Sequence, residues 1–186
     1  HIKDFGTSLA AGAASLPDIA IGLGDLYTSG RAGKAIEESG VYTPGSGSSY
    51  WKDKKTNVAK VQSQEFADAE GVVDKTKVAL SNPTMISNAI GESLAPMAAG
   101  GLAGRAVNVA SKGAIGAAAS GAIGEGTVMA GSQAESIRQQ TDDGLLTGGQ
   151  VGAAVATGVA GSAFGYLGGR IAKELGFSDL DNMLAS

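Results

Sequence analysis

In 186 residues carrying a net charge of −4, thirty glycines and nine aromatic side chains leave little material for a core of large interlocking groups. That glycine content is more than double the average of about 7%. The absence of cysteine excludes disulfides, thiolate metal sites and cysteine nucleophiles, and the charge, −2 over 1–47, +1 over 48–81 and −3 over 82–186, provides no basic footprint for sequence-specific nucleic-acid binding.

From Ile2 to Thr28, apolar residues at Ile2, Phe5, Leu9, Ala13, Leu16, Ile19, Leu23 and Leu26 recur every three or four positions, the spacing of an amphipathic helix. Pro17 disfavours helical geometry at Leu16, so two helices with a break at Ser15–Leu16 are expected, Asp18 lying in the first turn of the second. A short charged helix over Arg31–Ser39 follows, then a turn-rich loop from Val41 to Tyr50. The stretch from Trp51 to Ser81 reads as one charged, solvated helix, with lysines early and acids late. Asn82 and Pro83 are suited to the N-cap and first position of a helix that should kink or stop at Pro96. The resulting division is 1–40, broken amphipathic helices; 41–50, a Gly/Ser/Pro loop; 51–81, a charged helix; and 82–186, a Gly/Ala-rich hairpin region closing in a short helix over Leu180–Ala185.

Within that last region, Gly144 to Gly169 runs for twenty-six residues without a charge. Gly161, Gly165 and Gly169 recur every fourth residue, and Gly152 and Gly158 extend the small-residue stripe. Each interior glycine costs a helix roughly 1 kcal/mol relative to alanine, so close packing against a partner must compensate. The stretch is long enough to cross a bilayer, but its large apolar residues are few, and insertion is expected only in an assembly. Gly113, Ala117 and Gly121 form a weaker series upstream, and the polar turn near Asp142–Asp143 would fold the two stretches into an antiparallel hairpin. Gly113, Gly121, Gly152, Gly158, Gly161, Gly165 and Gly169 are therefore the candidate helix-packing or oligomer-contact residues, in an all-α array of helices and hairpins packed through Gly/Ala-rich faces.

Catalytic chemistry finds no footing in the sequence. His1 is the lone histidine, a poor base for a hydrolytic triad, and the acid pairs Glu37/Glu38 and Asp142/Asp143 sit in polar surroundings that leave them solvated. No metal-ligand cluster or phosphate loop is present, and no cofactor and no enzymatic activity are expected. His1 in place of a methionine gives the expectation of an excerpt from a longer chain.

The order AGAASLPDIAIGLGDL (Ala11–Leu26), NVASKGAIGAAASGAIGEG (Asn108–Gly126) and LLTGGQVGAAVATGVAGSAFGYLGG (Leu145–Gly169), closed by the Gly168–Asp179 tail, resembles the internal virion, or DNA-ejection, proteins of short-tailed bacteriophages over about two thirds of the chain. The resemblance implies a protein held inside the capsid, ejected at infection, and assembled with its own copies and other ejection, portal or tail proteins into a channel across the host envelope. Expected partners are thus a homo-oligomer, those virion proteins, the host membrane and, non-specifically, passing DNA. The alternatives are a soluble scaffold or tape-measure-like helical segment and a glycine-zipper membrane protein.

Overall fold

The computed structural model describes the backbone of residues 2–174 and the side chains there except those of 72, 117, 118, 164, 165 and 168–174. Among the described residues the protein is all α, with nine helices and no strand. They are α1 (Ile2–Ala14), α2 (Leu16–Thr28), α3 (Arg31–Glu38), α4 (Ser46–Asp53), α5 (Asn57–Asp68), α6 (Gly71–Ser81), α7 (Pro83–Ala110), α8 (Ala117–Gln139) and α9 (Gly148–Glu174). They form two compact units, His1–Pro17 with Tyr42–Pro96, and Asp18–Val41 with Met97–Ser186. Two of the three crossings between the units fall just after a proline, Pro17 and Pro96.

The first unit is built on α1. Its buried Asp4 accepts hydrogen bonds from the Thr56 amide (2.8 Å) and hydroxyl (2.9 Å), and Thr56 caps α5 by accepting from the Ala59 amide. This cap divides the expected 51–81 helix, and a second break follows where Ala69 and Glu70 turn extended before Gly71, which has a positive φ. The expected 41–50 loop is also shorter than its composition suggests. The weak helix former Gly47 starts a turn inside α4 because it packs against Ala14, its Cβ direction lying 3.1 Å from the Ala14 carbonyl oxygen, and this contact outweighs local propensity.

Helix α7 runs through Pro96 instead of stopping there. Proline leaves the carbonyl four residues earlier without its helical donor, which here is that of Glu92. That carbonyl is covered by α1, since its oxygen occupies the space a Cβ on Gly12 would need. The Glu92 carboxylate pairs with Lys55, fixing the same turn from the other side. Helix α7 begins at Pro83 as expected, the Asn82 carbonyl accepting from the Met85 and Ile86 amides, while the Asn82 side chain bonds α6 and α5. Its amide donates back to the Val78 carbonyl, and its oxygen accepts from Gln62 on α5.

The second unit is centred on α8. A methyl group on Gly22 of α2 would overlap the Gly131 carbonyl of α8, and one on Gly124 of α8 would overlap the Gly100 carbonyl of α7. The break at Ser15 matches expectation, as does the first-turn position of Asp18. Gly116, the N-cap of α8, ends a turn that begins at Ser111 and carries Gly113 at φ 78°, so the expected series through Gly113 and Gly121 is not continuous on one helix. The expected Leu180–Ala185 helix lies outside the described residues.

Candidate functional site

Helices α8 and α9 are joined by the turn at 140–147 and run antiparallel. The pairing steps oppositely along the two: Gly126 meets Gly158 and Ser162, Ala130 meets Gly158, and Ala134 clusters with Ala154 and Leu146. A Cβ on Gly158 would stand 2.5 Å from the Gly126 carbonyl oxygen and 2.7 Å from the Ala130 side chain. At Gly126 it would overlap the Ser162 hydroxyl. The backbones therefore touch, and dispersion and Cα–H···O contacts replace the large side chains the sequence lacks.

The expected contact glycines separate into groups. Gly158 and Gly161 lie on the buried face of α9, where the Met129 sulfur fills the space beside Gly161. Gly152 is exposed, and a Cβ there would meet nothing within 4 Å. A Cβ on Gly121 of α8 or on Gly113 in the preceding turn would likewise meet nothing, although the Gly121 Cα itself lies close against Gly104 of α7. Gly165 and Gly169 belong to α9, but their packing lies outside the described residues. Opposite the buried stripe, Gly152, Val155, Ala156, Val159 and Ala160 form an exposed face one to three turns along α9, with Val159 65% exposed.

A second feature of this unit was not apparent from sequence. Arg138, 1% exposed, sits among Asp25 (0%), Glu135 (2%) and the half-exposed Glu37. Its Nε and Nη2 donate to the two oxygens of Glu135 at 3.0 and 2.8 Å, and Nη1 donates to Glu37 at 3.0 Å. Asp25 accepts from the Gly33 amide at 2.7 Å through Oδ1. Gly33 is required there, because a Cβ would overlap Asp25 Oδ2. The cluster joins α2 and α3 to α8, and the corner is closed by the Leu146 amide donating to the Ser29 carbonyl at 3.0 Å. Gly30, at φ 87°, lets the Leu145–Leu146 backbone pass at this point. The sequence signal was the spacing of Glu135 and Arg138 by three on an otherwise small-residue helix, but nothing local identified Asp25 or Glu37 as their partners.

Burial pushes the Asp25 carboxyl up from its ordinary value, against the opposing pull of the Gly33 amide and Arg138. The hydrogen bond from Arg138 to Glu135 is the largest influence holding Arg138 in its charged form. In the first unit the Thr56 amide holds Asp4 below the ordinary value, more than offsetting the effect of burial. Among the described residues no group of three metal-ligating side chains is placed to hold an ion; the carboxylates around Arg138 already have a cation at their centre.

Among the described residues, the helical stretch long and apolar enough to cross a bilayer is Ile2–Thr28, with mean hydropathy 1.3. Near its two ends it carries Asp4 of the Thr56 cap and Asp25 of the Arg138 cluster.

Compared with protein-family models, curated proteins and solved structures, the chain matches none of them. The functional reading therefore rests on the all-α architecture and on the surfaces just described.

Proposed function

We propose that the chain is a structural component of a phage DNA-ejection apparatus, carried in the virion and self-associating after release into a channel across the host envelope. The observation that carries this reading is the outer face of α9. Gly158 and Gly161 are taken up inside the chain, which leaves Gly152, Val155, Ala156, Val159 and Ala160 as a second small-residue face open to a neighbouring helix. Small residues at such spacing allow helices to approach closely, in lipid as in water. The reading assigns no catalytic step and no cofactor to the chain. Its partners are other copies, other ejection, portal or tail proteins, the host membrane and, in passing, DNA.

The test compares wild type with Gly152→Leu and Val159→Asp, following oligomer size by sedimentation and leakage of a dye from phospholipid vesicles. Both variants should reduce oligomer size and leakage while far-ultraviolet circular dichroism stays helical. Unchanged assembly in both would remove the support for a channel. Assembly without leakage in wild type would favour the soluble scaffold instead.

A further inference from the structure

We infer that Asp25 and Glu135 form a proton-binding pair that sets how firmly the α2–α3 corner is held on α8: one added proton locks the corner, and its loss loosens it. The inference is independent of the proposed self-association and concerns the second unit alone.

The geometry comes from the directions of the Arg138 donors. Nε and Nη2 are directed at Glu135, and Nη1 at Glu37. Asp25 Oδ2 lies 3.1 Å from Nε yet has no hydrogen-bond partner, and the side chain is completely buried. Oδ2 therefore receives the field of the guanidinium without a hydrogen. Glu135 Oε2 shares the same Nε, which brings the two carboxylates to one nitrogen. With both ionised, two buried negative charges share one positive charge, an arrangement that burial penalises. A proton on Asp25 Oδ2 removes one of them and supplies the missing donor, directed at Glu135.

The surrounding charges do not supply a substitute. From α3, Glu37 is 55% exposed and solvated, Arg31 is exposed, and Lys34 donates to the Asp143 carbonyl and lies 4.0 Å from Glu38, on the outer side. On α2, Asp18 is buried two turns before Asp25 and has an interaction of its own. On α8, Gln139 donates to Glu135 Oε1. From the loop before α9, the Asp143 carboxylate accepts from the Leu145 amide, and the packed residues Leu146 and Val151 carry no charge. Among the described residues Arg138 is thus the sole cation facing the pair.

The sign follows from Asp25 being shifted upward from 3.8. The folded state then binds the proton more readily than the unfolded chain, so the corner gains stability as pH falls through the folded value, and the gain is complete below 3.8. Most surface carboxylates contribute no such gain on acidification.

The experiment is a carbon-detected NMR titration of the side-chain carboxyls in the full chain, with amide hydrogen exchange of residues 18–41, corrected for intrinsic rate, at one pH below and one above the Asp25 midpoint so found. The expected result is an Asp25 midpoint shifted above 3.8 and stronger protection at the lower pH. Asp25→Asn, which imitates the protonated acid, should show the stronger protection at both pH values, and the control Glu38→Gln should behave as wild type. An Asp25 midpoint at or below 3.8, or protection in Asp25→Asn that still rises on acidification, overturns the inference. If Asp25→Asn fails to fold, the wild-type titration alone decides.

Discussion

The two units each bury an aspartate on an N-terminal helix, and the two respond to burial in opposite directions. Asp4 in the first unit meets two aligned donors from Thr56, and its charged form is favoured. Asp25 in the second meets one aligned donor and a guanidinium whose hydrogens are directed elsewhere, and its charged form is disfavoured. The state of a buried acid is thus a balance of desolvation against the hydrogens aimed at its oxygens: desolvation prevails at Asp25, the Thr56 amide at Asp4. The units also differ in how they are held. Both use close backbone contacts at glycine, but side-chain bonds such as Asp4–Thr56, Lys55–Glu92 and Gln62–Asn82 recur through the first, whereas in the second the glycine contacts surround α8 and the Arg138 charge cluster lies at one end.

The largest effect that sharpens this contrast should come from Arg138→Met. Removing the shared cation leaves buried carboxylates unpaired, a loss of about 3–5 kcal/mol. Chemical denaturation followed by hydrogen exchange should place the loss in the second unit and leave the first unchanged. Loss of protection spread equally over both would break the comparison.

Gly158→Leu comes next. It forces a branched side chain against the Gly126 carbonyl and Ala130, and overpacking of this kind costs about 1–3 kcal/mol, although leucine is the better helix former. Thermal melts of the variant should show destabilisation with helicity retained. Asp4→Ala removes the brace on the α5 cap and should cost about 1 kcal/mol, read in the first unit by the fluorescence of Trp51, the single tryptophan. The smallest effect has the opposite sign. Gly121→Ala, at a helical position with nothing within 4 Å, should stabilise by up to about 1 kcal/mol, and a destabilised variant would show that close packing of α8 extends to that face.

Acidification should separate the units without mutation. Asp4, lowered from 3.8, contributes stability that is present above that value and lost as pH falls through its lower folded value, whereas Asp25 contributes a gain over the window above 3.8. A pH series with unit-resolved probes should therefore show the second unit tightening first and the first unit loosening later.

Features set by short-range rules were legible in the sequence: the helical class, the break at Ser15, and the hairpin formed where Thr141–Gly144 separates two small-residue stretches. The helix start at Asn82–Pro83 was also legible, whereas a loop over 41–50 and a stop at Pro96 were not found because a distant segment acts at each. The freed Glu92 carbonyl found Gly12, and Gly47 found Ala14. At the candidate site, glycine periodicity located the α8–α9 contact but could not say which glycines face inward. Of those expected, Gly158 and Gly161 do, while Gly152 faces outward. The charge cluster was hidden because Glu37 and Arg138 stand 101 residues apart.

That separation also bears on how the chain comes together. Each unit is made of two stretches that alternate along the chain, so the segment 18–41 is made before the segment 42–96 that completes the first unit, yet its own partners begin only at 97. A chain emerging from the ribosome can finish the first unit while Asp25 still lacks its guanidinium. Closing so long a loop costs little more entropy than closing a shorter one but slows the search, so docking of the α2–α3 corner onto α8 is expected after the first unit has formed.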